Sequence, residues 1–300
     1  MKFWLSMMPI YEMEQLTEIA RHAEAVGFHG ITMPDHLVMP TRIESRYPYT
    51  EDGKMWWPED TPWLDPWVTL GAMAAVTHKL RLASNIYLAA LRDPFTAAKS
   101  LASVAALSGG RVVCGVSVGW IKEEYDLLGL DFKSRGRRMD ELIAVMRMLW
   151  TGKEVSHHGE FFNFDHALMH PAPRQPIPVW CGGGTPPALR RAALNDGWLG
   201  LPLPLPQLTQ TIESMLAIRR AAGLPEEGFD ACVPLMQALT PEIHAGLAAI
   251  HVHNAVVIAP WMLSPWGEKT WIDAGDDIRD LAVKKKAMTR FAESVLSRFG

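Results

Sequence analysis

The stretch VWCGGGTPPALRRAALNDGWLG, residues 179–200, decides the reading of this chain. Val179 to Cys181 is a short apolar strand, Gly182-Gly183-Gly184 a turn without side chains, and Thr185-Pro186-Pro187 the start of an alanine-rich helix. A second apolar run begins at Gly197. Strand, helix and strand in such close succession form the βαβ unit of a parallel sheet. The three glycines let the backbone approach an anion, Thr185 suits an N-cap, and the prolines suit a first helical turn. Free N–H groups and the positive end of the helix dipole then face the same point, a cradle for a phosphorylated cofactor. The same residues also suit an ordinary strand-to-helix turn, so the rest of the chain has to decide.

Outward from this unit the alternation repeats. Strands are predicted over 2–8, 28–33, 80–88 and 112–118 before it, then over 177–181, 197–201, 231–236 and 252–259. Helical spacing joins them. Met13, Leu16, Ile19, Ala20 and Ala23 recur until Gly27, Leu70 to Val76 is helical, and Asp93-Pro94 opens a helix that Gly109-Gly110 stops. Further helices are predicted over 123–128, 139–150, 187–195, 207–222 and 278–298. The alternation shows no linker, no fixed-period repeat and no low-complexity segment. It therefore predicts one closed α/β domain spanning 1–300, a (β/α)8 TIM barrel, with insertions after strands 2 and 4. The first, about 37–66, is rich in Pro, Trp and Tyr and reads as a lid; the second, about 151–176, reads as irregular.

Composition narrows the function. The chain has 300 residues, 48% of them hydrophobic, which is ample for a barrel of about 250 residues. A net charge of −4 without a basic stripe argues against nucleic acid as a partner. Cys114, Cys181 and Cys232 each fall inside a predicted buried strand, which suits free thiols in a reducing compartment. Pro9, Glu12 and Glu14 interrupt the apolar start before a signal-peptide core develops, and no long apolar run follows. A cytoplasmic protein that binds no membrane is expected.

In a barrel, chemistry belongs just after the strands, at the C-terminal face. Asp35 and His36 follow the second strand, where an imidazole can carry a proton near neutral pH; a histidine satisfied by a loop carbonyl is the plainer alternative. Ser84, Asn85 and Ile86 end the third strand. Tyr47, Tyr49, Trp56, Trp57, Trp63 and Trp67 crowd the first insertion, either walling an apolar substrate chamber or pinning the loop to the barrel or a second subunit. His251 and His253 have metal-ligand spacing but lack companion ligands, so no metal is expected. Arg135, Arg137 and Arg138 are either an anion patch or a solvated cluster. No strand-end lysine supports Schiff-base chemistry.

Several segments in series resemble the luciferase-like flavin-dependent oxidoreductases, in particular the branch that uses the deazaflavin coenzyme F420. They are Pro34-Asp35-His36, Ser45 to Tyr49, Pro62 to Pro66, Leu107 to Arg111, Gly115 to Trp120 with Glu123-Glu124-Tyr125, Arg135 to Glu141, Gly182 to Thr185, and Asp196-Gly197-Trp198. The resemblance spans about 200 residues and fades in the last third. It implies a cofactor ring over the strand ends, its phosphate at Gly182, Gly183, Gly184 and Thr185. It also implies a non-prolyl cis peptide at Asn85–Ile86 behind the ring, and Asp35 and His36 as cofactor-contacting catalytic residues. Val118 and Gly119 would line the cofactor, and Trp56, Trp57 and Trp120 the substrate. Val118 stands where FMN-binding luciferases can carry an arginine, which favours F420 over FMN. Trp120 stands where sugar-phosphate dehydrogenases carry a glutamate, which argues against that substrate.

The expectation is F420-dependent hydride transfer to or from a small organic substrate by a homodimer. The alternatives are an FMNH2-dependent monooxygenase using O2 and a partner reductase, and a flavin-binding protein without turnover.

Overall fold

The computed structural model describes residues 1–7, 11–235, 238–262 and 271–300. Eight parallel strands close into a barrel: β1 (Lys2–Ser6), β2 (Gly30–Met33), β3 (Arg81–Ser84), β4 (Val112–Val116), β7 (Val179–Gly182), β8 (Gly197–Leu199), β9 (Asp230–Pro234) and β10 (Asn254–Ile258). A separate antiparallel pair, β5 (Val155–His158) and β6 (Asn163–Ala167), lies between the fourth and fifth barrel strands. Around the barrel run α1 (Leu16–Val26), α2 (Pro66–Ala74), α3 (Pro94–Ser108), α4 (Lys122–Leu127), α5 (Arg135–Leu149), α6 (Pro186–Ala193), α7 (Leu205–Ala221), α8 (Pro241–Ala249) and α9 (Leu281–Phe291).

The strands are short apolar runs because both of their faces are buried. On β1, Phe3 and Leu5 pack outward under the helices, while Trp4 points inward. Two tryptophans fill the barrel, and glycines on neighbouring strands make room for them. A Cβ at Gly30 would lie 2.3 Å from the Trp4 ring, and one at Gly197 would lie 2.4 Å from Trp180. Trp4 meets Trp180 edge-on at 5.3 Å, and its indole N–H donates to Asn254 at 3.0 Å. The interior is therefore a packed plug rather than a channel, as in other barrels of this architecture, whose ligands bind at the C-terminal ends of the strands.

Local signals behave as their chemistry demands. Asp93 caps α3 by accepting from the Thr96 N–H at 2.8 Å, Asp65 caps α2, and Gly27 ends α1 at φ +99°. The three cysteines are free and buried, and burial pushes the Cys181 thiol up to about 12. They are packing residues.

Some expectations need correction. Residues 151–176 are not irregular: they carry the β5–β6 hairpin, seated on α5 by Glu141, which accepts from the Phe161 and Phe162 N–H groups and from His157. Helix α2 begins at Pro66 rather than Leu70, and α8 went unpredicted. The basic cluster is only partly drawn into the fold: Arg135 stacks on Phe132 and Arg138 donates to the Ala90 carbonyl, whereas Arg137 stays in solvent, paired with the exposed Glu160. Residues 8 and 236, predicted strand ends, lie outside the described residues. Among the described residues no helix is long and apolar enough to cross a membrane.

Candidate active site

Four adjacent strands, in the order β7-β4-β3-β2, carry the nominated residues at their C-terminal ends. At the first of them, Gly182 closes β7, Gly183 takes φ +106°, and Thr185 is the N-cap of α6 with Pro186 and Pro187 in its first turn. The Thr185 hydroxyl makes no cap bond, contrary to its expected part, and the Thr185 carbonyl accepts from Leu189. Among the described residues, the N–H groups of Gly184 and Thr185 have no backbone partner. Each glycine has a separate reason. A Cβ at Gly182 would sit 2.3 Å from Ile86 Cδ1, one at Gly184 would sit 2.4 Å from Leu201 Cδ1, and Gly183 is left-handed. Bare backbone, two available donors and a helix N-terminus fit a phosphate group.

The segment after β3 contains the cis Asn85–Ile86 peptide. It continues the barrel ladder: Asn85 N–H donates to Met33 O at 2.7 Å and Tyr87 N–H to Gly115 O at 2.8 Å. Ile86 thereby lies against Gly182, joining this segment to the glycine loop. After β4, Val118 packs on the core, its carbonyl takes the Tyr125 hydroxyl, Gly119 adopts φ +74°, and Trp120 turns into the insertion.

Asp35 and His36 are neighbours in sequence with different surroundings. Asp35 is buried; its Oδ1 and Oδ2 accept from Arg92 at 2.8 and 2.7 Å, and Oδ2 also accepts the Leu88 N–H at 2.8 Å. Burial pushes its carboxyl above the usual range while the Arg92 charge pulls the other way. Arg92, despite its own burial, is raised by Asp35. Arg92 also lies 4.3 Å over the Tyr87 ring. Asp35 thus ties β2 to the segment carrying the cis peptide.

His36 faces the aromatic insertion. Its ring meets Trp63 edge-on at 4.7 Å and Trp57 at 6.1 Å; Trp57 meets Tyr47 at 5.1 Å, and Tyr47 meets Trp120 at 5.2 Å. Among the described residues, the buried indole N–H groups of Trp57 and Trp63 have no hydrogen-bond partner. Trp56 is 52% exposed, meets Trp57 edge-on at 5.1 Å and hydrogen-bonds Tyr47, on the outer side of the cluster. The insertion is also pinned to the barrel. Glu123 accepts from Glu44 N–H, Ser45 N–H and the Ser45 hydroxyl, and Glu124 accepts from Leu37 and Val38 N–H and from His36 Nδ1. Sequence reading quoted Glu124 without giving it a part. Its signal was a carboxylate beside Tyr125 in a short helix that buries both.

His251 and His253 precede β10, at the barrel end opposite these loops. Among the described residues no cluster of three or more His, Cys, Asp or Glu side chains is arranged for a metal ion.

A family model described as luciferase-like monooxygenase matches residues 6–288. The chain belongs to that family. It is thereby a member of an oxidoreductase family with a TIM-barrel fold. An uncharacterized protein of Mycobacterium tuberculosis is 34% identical over 280 residues, covering 93% of this chain and 94% of its own length. An F420-dependent glucose-6-phosphate dehydrogenase of Nakamurella multipartita is 30% identical over 190 residues, 62% of this chain and 51% of that protein. The coenzyme F420-dependent tetrahydromethanopterin reductase of Methanopyrus kandleri superposes with a TM-score of 0.72 at 16% identity, covering 100% of this chain and 99% of that one. At that identity the likeness is one of fold.

Proposed function

We propose that this chain is an F420-dependent oxidoreductase that catalyses hydride transfer to or from a small, largely apolar carbonyl compound or its alcohol. The observation that carries the reading is the shared rim. The phosphate cradle at Gly182–Thr185, the Asn85–Ile86 segment and His36 follow β7, β3 and β2 on one arc of the rim, and Ile86 touches Gly182. The relative whose name states F420 dependence supports the choice of coenzyme, as does Val118 in place of a cation at the β4 end.

Bound there, the coenzyme supplies the carbon centre that gives or takes the hydride. The chain's residues do the rest. Gly182, Gly183, Gly184 and Thr185 hold the phosphate, and Asn85 and Ile86 with Val118 and Gly119 line the ring. His36 moves the proton that accompanies the hydride, and Trp57, Trp63, Tyr47 and Trp120 keep water out. The unpartnered indole N–H groups of Trp57 and Trp63 favour a substrate bearing an acceptor oxygen. Among the described residues, the segments after β8 and β10, 200–204 and 259–262, carry no charged side chain, which favours an uncharged substrate over a sugar phosphate. Asp35 braces the site through Arg92.

Titration of the protein with F420 and with FMN, followed by assay of each reduced form under air, tests the reading. The expected result is tighter F420 binding and substrate-dependent turnover without oxygen uptake. Preference for FMN with oxygen uptake replaces the reading with a reductase-coupled monooxygenase, and binding without turnover replaces it with a flavin carrier. His36→Ala is expected to lower turnover about 10²- to 10⁴-fold with little change in coenzyme affinity. Unchanged turnover removes His36 from the mechanism.

A further inference from the structure

We propose that Glu124 is the positioning residue of His36: it fixes the proton on Nδ1 and leaves Nε2 as the atom that exchanges protons at the barrel mouth. The inference rests on the catalytic reading of His36. Glu124 sits in α4, one turn beyond Trp120, and its side chain is 1% exposed. A carboxylate so placed needs bonds to every lone pair it can satisfy. Oε1 accepts from the Leu37 N–H at 2.8 Å and from Val38 at 3.3 Å, and Oε2 lies 3.3 Å from His36 Nδ1.

The two backbone bonds matter most. They hold the carboxylate against the chain immediately following His36, so its orientation does not depend on the imidazole. The His36 contact is at the long end of the hydrogen-bond range, as expected of a ring resting on a frame that other bonds keep in place. An ionised carboxylate only accepts, so Nδ1 must bring the proton. In the neutral ring Nε2 is then bare. Among the described residues no protein group is hydrogen-bonded to Nε2, while Trp63 and Trp57 fix the ring plane.

The other acids nearby are committed elsewhere. Asp35 is taken by Arg92 and Leu88, and Glu123 by Glu44 and Ser45. The adjacent pair Glu123-Glu124 thus anchors two points of the insertion, Glu123 at Glu44 and Ser45 and Glu124 at Leu37 and Val38, and Glu124 alone also meets the imidazole.

The test uses coenzyme-free protein labelled with [15N]histidine. Long-range 1H–15N spectra at about pH 8.5, where an ordinary imidazole is neutral, read the tautomer. His36 is assigned by its loss in His36→Gln. The expected wild-type result is a proton on Nδ1. In Glu124→Gln the amide oxygen still accepts from Leu37, but its N–H donates to Nδ1 and drives the proton to Nε2. Turnover of that variant is expected to fall at least about 100-fold with coenzyme affinity retained. Glu123→Gln is expected to leave the His36 spectrum unchanged. A proton on Nε2 in the wild type overturns the proposal, and so does normal turnover of Glu124→Gln. The wild-type spectrum decides even if the variant does not fold. It needs neither coenzyme nor substrate, so a wrong coenzyme assignment leaves it readable.

Discussion

Removing the Asp35 carboxylate asks whether it braces the barrel mouth or serves the coenzyme directly. Asp35 and Arg92 side chains are 0% and 9% exposed, and two bonds of 2.7 and 2.8 Å join them. Breaking such a pair by deleting one partner leaves a buried uncompensated charge, which costs about 3–5 kcal/mol. Asp35→Leu does this to Arg92, whose remaining acceptor here is the Leu88 carbonyl at 3.1 Å. Asp35→Leu combined with Arg92→Met removes both charges. What remains is the Leu88 N–H, which loses the Asp35 carboxylate as its acceptor, a penalty of about 1–3 kcal/mol. The double variant is therefore expected to regain about 2 kcal/mol over the single one. Urea unfolding followed by near-ultraviolet circular dichroism, fitted across the four-protein cycle, measures the coupling. A single variant that costs less than about 1 kcal/mol, or a double variant no more stable than the single, refutes the bracing account.

Two further outcomes follow from named contacts. Glu141→Ala strands the Phe161 and Phe162 N–H groups, so hydrogen exchange there should accelerate at least about tenfold while the β4 amides stay protected; equal protection in the variant denies Glu141 its part in seating the hairpin. Burial, with Lys2 and Arg81 adding to it, pulls the His29 imidazole down to about 4. The unfolded chain therefore binds this proton first on acidification, and its share of stability, intact above about pH 6.5, drains as pH falls toward 4. For a half-buried ring screened by solvent this is worth about 1–2 kcal/mol, and His29→Gln should lose less stability between pH 7 and 4 than the wild type.

The eight barrel strands were legible because strands buried on both faces read as uninterrupted apolar runs, and Asp93-Pro94 and Gly27 punctuate helices by local chemistry alone. The β5–β6 hairpin was not legible. Val155 to His158 alternate between half-buried and exposed, and what orders them is Glu141, on a helix earlier in the chain. Helix α8 buries only Leu247, so its apolar period is faint, although the Thr240-Pro241 cap was there to be read. At the mouth, His36 and the glycine run stood out because residue type and strand-end position both spoke for them. Glu124 did not, because its partnership with His36 spans 88 positions and leaves no local trace. The Thr185 hydroxyl was misjudged: N-cap propensity fixed the backbone position but not the side-chain bond.

The central claim is that the backbone at Gly182–Thr185 grips the phosphate of a redox coenzyme. Equilibrium titration with F420 and with its phosphate-free deazaflavin chromophore isolates that grip. The account predicts at least about 100-fold tighter binding of the phosphorylated form, with most of that preference gone in Gly184→Ala, where the new Cβ would meet Leu201. Equal affinity for the two compounds contradicts it.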